Sequence, residues 1–310
     1  MRVGIIGTGY MGINHLRVVE SVPQLKLTCA VDTNQENLKQ ASEPYTIKKH
    51  TDFREILNDV DAVMVSTPTL THFSLAQYFL SNKKHVLLEK PMTNSLEQAD
   101  QLIELAHKNN LVLAIGHLER FNPAVEYIKP LVKEPLFIEV QRLGSFSPRS
   151  LDVDVIMDLM IHDLDIILQW DKTGVKQLNA SGVPIVSDKI DIANIRLQFN
   201  SRLVANITAS RVSQKKTRKL RIFQKNNYIS LDYKKRRVKT FKLSGGNIIE
   251  DVPEIEDIEP LRNLWTNFYL SITTGQNYNV TGEDGRNALE LALRISEHIK
   301  KNMEELGGVV

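Results

Sequence analysis

The stretch Met1-Arg-Val-Gly-Ile-Ile-Gly-Thr-Gly-Tyr-Met-Gly12 decides the fold, because a short apolar run feeds directly into Gly7-x-Gly9-x-x-Gly12. Each glycine has its own physical role. Gly7 permits a tight turn out of a buried strand, Gly9 lets backbone amides approach a pyrophosphate, and Gly12 lets the next helix pack on the strand with its positive end toward the phosphates. A glycine triplet alone is weak. Its weight comes from Leu25-Lys-Leu-Thr-Cys-Ala-Val-Asp32, a second apolar run that closes on an acid twenty residues after Gly12. A carboxylate there accepts hydrogen bonds from the ribose hydroxyls of an adenosine. Strand, turn, helix, strand and acid in register predict a dinucleotide site, with Gly7, Thr8, Gly9, Tyr10, Met11, Gly12 and Asp32 as cofactor-binding candidates. Asp32 would repel a 2′-phosphate, which favours NAD over NADP, while Thr33 and Asn34 beside it leave some tolerance.

A chain of 310 residues, 42% hydrophobic and 25% charged, is ordinary globular material with room for two cores. The net charge of +2 is the small difference between 39 basic and 37 acidic residues, so no global field points to nucleic acid or a membrane. The single cysteine, Cys29, lies inside the second apolar run and has no partner for an internal disulfide, which fits a reducing compartment. The N-terminus leads straight into a strand, and no apolar run approaches a bilayer span of about eighteen residues. A soluble, cytoplasmic protein is expected.

After Asp32, helix-like and strand-like segments alternate, as a doubly wound parallel sheet requires. Helices are expected at Gln35 to Glu43, Asp52 to Leu57, Thr71 to Ser81 and from the Ser95 cap to Asn109. Strands are expected at Asp61 to Ser66, His85 to Glu89 and Leu111 to Gly116. This first, NAD-binding domain is expected to close at 118. The second half, 119–310, has another grammar. A helix at Pro123 to Lys133, a strand at Leu136 to Leu143 and a helix at Asp154 to Trp170 precede six strand-like runs between Val175 and Leu243, joined by short polar turns. Helices at Leu261 to Thr273 and Gly285 to Glu305 close the chain, the last ended by Gly307-Gly308. The expected class is therefore α/β: a Rossmann doubly wound parallel sheet, then an α+β domain for substrate and oligomerisation. Its largely antiparallel sheet carries helices on one face and leaves the other open to an interface.

Chemistry is sought first at the carboxyl ends of the parallel strands, where open α/β sheets bind ligands. Thr67, Pro68 and His72 follow one such strand and Glu89-Lys90-Pro91 another, so Thr67, Pro68, His72, Glu89 and Lys90 join the cofactor-binding candidates. Lys90, desolvated beside a cationic ring, could shuttle or polarise a proton; the plain alternative is a surface lysine before a helix-starting proline. On the helix Asp158-Leu-Met-Ile-His162-Asp-Leu-Asp165 the spacings i, i+4 and i+7 put Asp158, His162 and Asp165 on one face, with Leu159, Ile161 and Ile166 toward the core. An imidazole with an acid one turn away is a tuned proton carrier. A solvated face, a capping cluster and a metal site compete. No metal is expected, since no second histidine lies nearby and hydride transfer to nicotinamide needs no Lewis acid.

Gly116-His-Leu-Glu-Arg-Phe-Asn-Pro123 joins the two domains, so Glu119, Arg120 and Asn122 can line a cleft or simply form a polar linker. Ser145-Phe-Ser-Pro-Arg-Ser150 offers Arg149, whose guanidinium suits a phosphorylated or nucleotide-linked substrate unless the loop is merely exposed. The basic runs Lys215 to Arg221 and Lys234 to Lys239 alternate within strands, which argues for a charged sheet face and against nucleic acid.

Gly7-x-Gly9-x-x-Gly12, Asp32, Glu89-Lys90-Pro91 and Asp158-x-x-x-His162-x-x-Asp165, in this order, resemble the Gfo/Idh/MocA oxidoreductase family over nearly the whole chain. The resemblance implies NAD(P)-dependent oxidation or reduction of sugars, cyclitols and related carbonyls, and dimers or tetramers built through the open sheet. It implies Lys90 near the nicotinamide, His162 as acid or base, and Asp158 as its orienting or substrate-binding partner. Many relatives carry a small residue before the histidine, whereas this chain has Leu159-Met160-Ile161, so the pocket wall differs. Glu119 to Pro123, Phe146 to Asp154 and Asp158 to Asp163 are most similar to members that oxidise the C3 hydroxyl of UDP-N-acetylglucosamine, supplying a 3-oxo sugar nucleotide for a diamino-sugar lipid A. A nucleotide-sugar substrate held by Lys90, Glu119, Arg120, Asn122, Arg149, Asp158 and His162 is thus expected. Another sugar or a cyclitol, or a noncatalytic NAD-binding sensor or scaffold, stays open.

Overall fold

The computed structural model describes residues 1–147, 153–276, 278 and 280–305. They divide into two compact units, 1–121 with 259–286, and 122–258 with the chain from 287 onward.

The first unit holds a parallel six-stranded sheet ordered β3-β2-β1-β4-β5-β6. Its elements run β1 (Arg2–Ile6), α1 (Tyr10–Glu20), β2 (Lys26–Val31), α2 (Gln35–Ser42), β3 (Lys48–His50), β4 (Ala62–Val65), α3 (Thr69–Ser81), β5 (His85–Leu88), α4 (Leu96–Asn109) and β6 (Leu113–Ile115). This is the doubly wound order, whose switch point lies between β1 and β4. All four residues of β4 are buried, so the strand shows no alternation, as a sheet covered on both faces requires. Val63, Met64 and Val65 each contribute about 1.5–3 kcal/mol by burial, which outweighs the weak strand signal of so short a run. Ser95 caps α4 as expected, its hydroxyl accepting from the Gln98 amide. The short β3 has no apolar run and escaped the sequence pattern.

The second unit holds an eight-stranded sheet ordered β14-β13-β12-β11-β7-β10-β9-β8. Its elements are α5 (Pro123–Ile128), β7 (Pro135–Leu143), α6 (Ile161–Trp170), β8 (Val175–Val183), β9 (Ile192–Phe199), β10 (Val204–Ser210), β11 (Thr217–Gln224), β12 (Asn227–Asp232), β13 (Arg237–Ser244) and β14 (Asn247–Asp251). Pairing is antiparallel except between β7 and β10. One face packs Ile138, Val140, Ile195, Leu197, Ile207, Leu220 and Ile222 against Ile161, Leu164 and Ile167 of α6. The fold class is the one the sequence implies. Two details differ: the helix expected to Lys133 stops as α at Ile128 and continues as a 3-10 turn through Lys129–Leu131, and β14, exposed along its whole length, was not anticipated.

The expected division at 118/119 also changes. Helix α7 (Pro260–Thr274) and the start of α8 (Gly282–Glu305) belong to the first unit. Trp265 of α7 hydrogen-bonds His15 of α1, the Ile115 amide donates to the Val280 carbonyl, and Arg286 pairs with Asp100. No local pattern in α7 encodes that return; only its apolar face does. Gly307 and Gly308 lie outside the described residues.

Candidate functional site

At the end of β1 the chain turns through Gly7 at φ +89°, where a Cβ would sit 2.7 Å from the Ser66 carbonyl oxygen. Gly12 is tighter still, since a Cβ there would lie 1.9 Å from the Gly7 oxygen. Both contacts are to backbone, which cannot move aside. Gly9 precedes α1 with nothing within 4 Å of where its Cβ would be, so a ligand can come close to its backbone. The first turn of α1 holds no acid, which leaves the positive helix end unopposed for an anion.

Asp32, at the end of β2, is held rigidly. Its Oδ2 accepts from the Thr8 amide at 2.7 Å and the Thr8 hydroxyl at 2.8 Å, and its Oδ1 accepts from the Asn34 amide at 2.9 Å. Oδ1, with one bond made, keeps accepting capacity for a ribose hydroxyl, while the carboxylate charge opposes a phosphate. The glycine cradle, the open helix end and the fixed acid fit NAD. Exposed Tyr10 and half-buried Met11 stand in the first turn of α1.

Beyond β4, Pro68 starts α3 and the Thr67 and Thr71 hydroxyls bond to one another at 2.7 Å. His72 is buried, with Nδ1 2.9 Å from the Pro91 carbonyl and Nε2 2.9 Å from the Thr67 carbonyl, so it ties the loop after β4 to the loop after β5. Burial pushes its imidazole below the ordinary value, and the two carbonyls offset part of that. Lys90 follows β5, half-buried, before a cis bond to Pro91. Glu89 beside it is buried, its Oε1 3.2 Å from His15 Nε2 and its Oε2 accepting the Lys90 amide at 3.1 Å. Burial alone would raise its carboxyl, but His15 and Lys90 outweigh that and hold it below the ordinary range.

Arg120 is buried and lies 3.7 Å from Asp284, and Glu119 is half-buried. Asn122 starts the second unit and serves its structure, for its Oδ1 caps α5 at the Ala124 amide and its Nδ2 donates to the Tyr233 carbonyl. Arg149 lies outside the described residues.

In the second unit, the helix expected from Asp154 to Trp170 opens with a π turn over Ile156–Met160 before α6 begins. Asp158 sits in that turn and His162 in the first turn of α6, both half-buried. Asp165, three residues after His162 in the regular part of α6, is buried at 1% exposure. The π turn falls between Asp158 and His162, so the i, i+4 spacing drawn for a plain α-helix does not carry over to that pair. The sequence pattern also missed Asp163, which is buried and bound by Arg142 of β7, with Nη2 donating to Oδ1 at 2.9 Å. Arg142 falls on the core side of an alternating strand, after Ile138 and Val140; an arginine there signals a buried partner. Among the described residues no group of His, Cys, Asp and Glu side chains is disposed to hold a metal ion.

A model of an oxidoreductase family with an NAD-binding Rossmann fold, Gfo/Idh/MocA, matches residues 1–117. UDP-N-acetylglucosamine 3-dehydrogenase of Acidithiobacillus ferrooxidans is 38% identical over 83% of this chain and 82% of its own length. The solved structure of that organism's enzyme superimposes over 97% of this chain and 98% of its own, with a TM-score of 0.92 at 34% identity. Myo-inositol 2-dehydrogenase of Thermotoga maritima is 28% identical over 98% of this chain and 97% of its own.

Proposed function

We infer the function from a plain premise: this chain belongs to the Gfo/Idh/MocA family of NAD-binding oxidoreductases. It is an enzyme that acts on CH–OH groups with NAD. Its substrate is a nucleotide sugar, UDP-N-acetylglucosamine, whose C3 hydroxyl is oxidised to a ketone in the making of a diamino-sugar lipid A. The observation that carries the substrate assignment is the 38% identity, over most of both chains, to a relative named for that reaction.

NAD, when bound, supplies the acceptor for the hydride. Gly7, Gly9 and Gly12 with the end of α1 hold its pyrophosphate, and Asp32, aimed by Thr8, holds its ribose. Thr67, Pro68 and His72 shape the loop after β4. Lys90 and His162 carry the proton chemistry at the sugar hydroxyl, one removing the proton and the other polarising the oxygen, and Asp158 orients His162. Glu119 and Arg120 serve the substrate, and Arg149 suits its diphosphate by chemistry alone.

The enzyme works in the cytoplasm, where NAD and nucleotide sugars are at hand; among the described residues no helix is long and apolar enough to cross a membrane. A second copy covers the open sheet face. That face carries an aromatic ladder, Phe137, Phe223, Tyr228 and Phe241, whose successive ring centroids lie 5.8, 4.7 and 5.1 Å apart. Phe223→Glu should shift the mass measured by light scattering to that of the monomer.

Incubation with NAD⁺ and UDP-N-acetylglucosamine should produce NADH, and the ketone should be trapped by an aminotransferase with glutamate. NADH from myo-inositol but from no nucleotide sugar would replace the substrate. Lys90→Met and His162→Asn should each lower turnover by about 10²–10⁴-fold, and their pH profiles identify the base. Asp32→Ser should improve use of NADP relative to NAD; no change would show that the acid does not read the ribose.

A further inference from the structure

The surroundings of Glu89 select one protonation pattern for a chain of buried side chains that ends at Lys90. Trp265 is fully buried, and its Nε1–H donates to His15 Nδ1 at 3.0 Å. An indole N–H can only donate, so His15 Nδ1 must offer a lone pair, which makes the ring neutral with its proton on Nε2. That proton faces Glu89 Oε1 at 3.2 Å, while the Lys90 amide occupies Oε2 at 3.1 Å. Both oxygens accept, as those of an ionised carboxylate do. An imidazolium at His15 would bring two donors together at Nδ1, so the pair is a neutral donor on a carboxylate and not an ion pair. The two rings meet edge to face, 80° apart with centroids at 5.8 Å, and the Phe268 ring packs on the indole at 5.8 Å. None of these side chains can swing away without opening a void.

We propose that Trp265 and His15 are positioning residues for Lys90: the indole sets the His15 tautomer, His15 donates to Glu89, and the fixed Glu89 carboxylate holds the Lys90 amide and favours a charged Lys90 side chain. This rests on Lys90 being the proton carrier of the dehydrogenase. The titratable groups that face Glu89 are His15 from α1, His72 from α3, Lys90 from its own strand end and Tyr278 from the segment after α7. Burial holds Tyr278 well above its ordinary value and pushes His72 below its own, although the Pro91 and Thr67 carbonyls oppose that. Lys90 is among the positive charges that hold the Glu89 carboxyl down. Helix α7 is more than a cover for α1, since it delivers the one donor that fixes the tautomer.

Two readouts test this on the full-length enzyme. In ¹⁵N-histidine spectra, the His15 signal, identified by its loss in His15→Phe, should show a bare Nδ1 and a protonated Nε2 across neutral pH, as should His85, whose Nδ1 accepts the Val112 amide at 3.0 Å. Trp265→Phe should abolish the signature at His15 alone. A His15 signal with Nδ1 protonated in the wild type would overturn the proposal. In pH profiles of kcat, His15→Phe strips Glu89 of its donor and raises its carboxyl. The limb assigned to Lys90 should then move to lower pH by about one unit, in Trp265→Phe by less, whereas His15→Gln, which keeps a donor and an acceptor, should restore it. Equal loss of kcat at every pH, with the limb unmoved in both Phe variants, would mean a structural role only and overturn the proposal. NADH affinity, read by fluorescence, checks that each variant is folded; should His15→Phe not fold, Trp265→Phe and the spectra still decide. If Lys90→Met retains turnover, the underlying assignment of Lys90 fails, and the tautomer signature remains to be judged separately.

Discussion

The two sheets are built from similar apolar strands and put their chemistry in opposite places. In the first unit both faces of the parallel sheet are covered, and β4 and β5 are buried almost end to end. Polar groups can then reach a ligand only where strands stop: Asp32, Thr67 and Lys90 each stand at or just past a strand's carboxyl end. In the second unit, β7 alternates strictly, with Ile138, Val140 and Arg142 inward and Phe137, Glu139 and Gln141 outward. There the exposed face itself is available, and it carries rings and paired charges such as Arg221 with Glu139 at 2.8 Å. A sheet covered on both sides confines function to its edge, and one covered on a single side offers a surface as well.

The sharpest way to break this comparison is at the strand end. Gly12→Val places a side chain against the Gly7 carbonyl, and NADH affinity should fall by at least about 100-fold, since a 1.9 Å approach cannot be relieved without moving the turn. Retained affinity would mean that the strand end is not the cofactor site. Within the second unit, the two faces of β7 should answer differently to loss of charge. Asp163→Asn leaves Arg142 buried without its full partner and should cost about 3–5 kcal/mol in urea unfolding. Arg221→Met on the open face should cost about 1 kcal/mol or less. Equal costs would erase the distinction between the faces.

A smaller effect concerns acid. Asp191 is buried, and burial by itself would raise its carboxyl. The Ile185 and Val186 amides, Arg211 and Ser187 outweigh that and hold it far below the carboxylate range. A depressed folded-state value means that the stability it contributes is present above the unfolded value of about 4 and is lost as pH falls toward the folded one. The urea midpoint should therefore drop below pH 4 in the wild type, and less steeply in Asp191→Asn. The smallest effect is at Cys29, whose thiol burial pushes up to about 11. It should stay unreactive toward a disulfide reagent at pH 8 until urea unfolds the first unit.

Much of the first unit was legible because its signals are local. Gly7, by its φ of +89°, and Gly12, against the Gly7 carbonyl, are demanded by backbone geometry within twelve residues, and Asp32 by one strand–helix–strand repeat. Ser95 and the ends of β5 and α4 follow from capping and apolar runs. The hidden parts were those whose partners are distant in sequence. Glu89 and His15 are 74 residues apart, and Trp265 lies 250 from His15. The π turn at Ile156–Met160, which carries Asp158, changes the residue count per turn without a sequence mark. Asn122, open in the sequence between a cleft residue and a polar linker, caps α5; its asparagine before a proline was the available signal for that cap.

The sequence by itself determined the fold class, the nucleotide cradle, the preference for NAD and the order of the candidate residues, because strand runs, turn glycines and caps act over a few residues. Only the tertiary structure decided that α7 returns to the first unit, that Arg142 holds Asp163, and that Trp265 makes His15 a donor to Glu89. The physical reason is that a buried polar group must find a partner, and which partner it finds depends on how the chain packs, at separations no local period records.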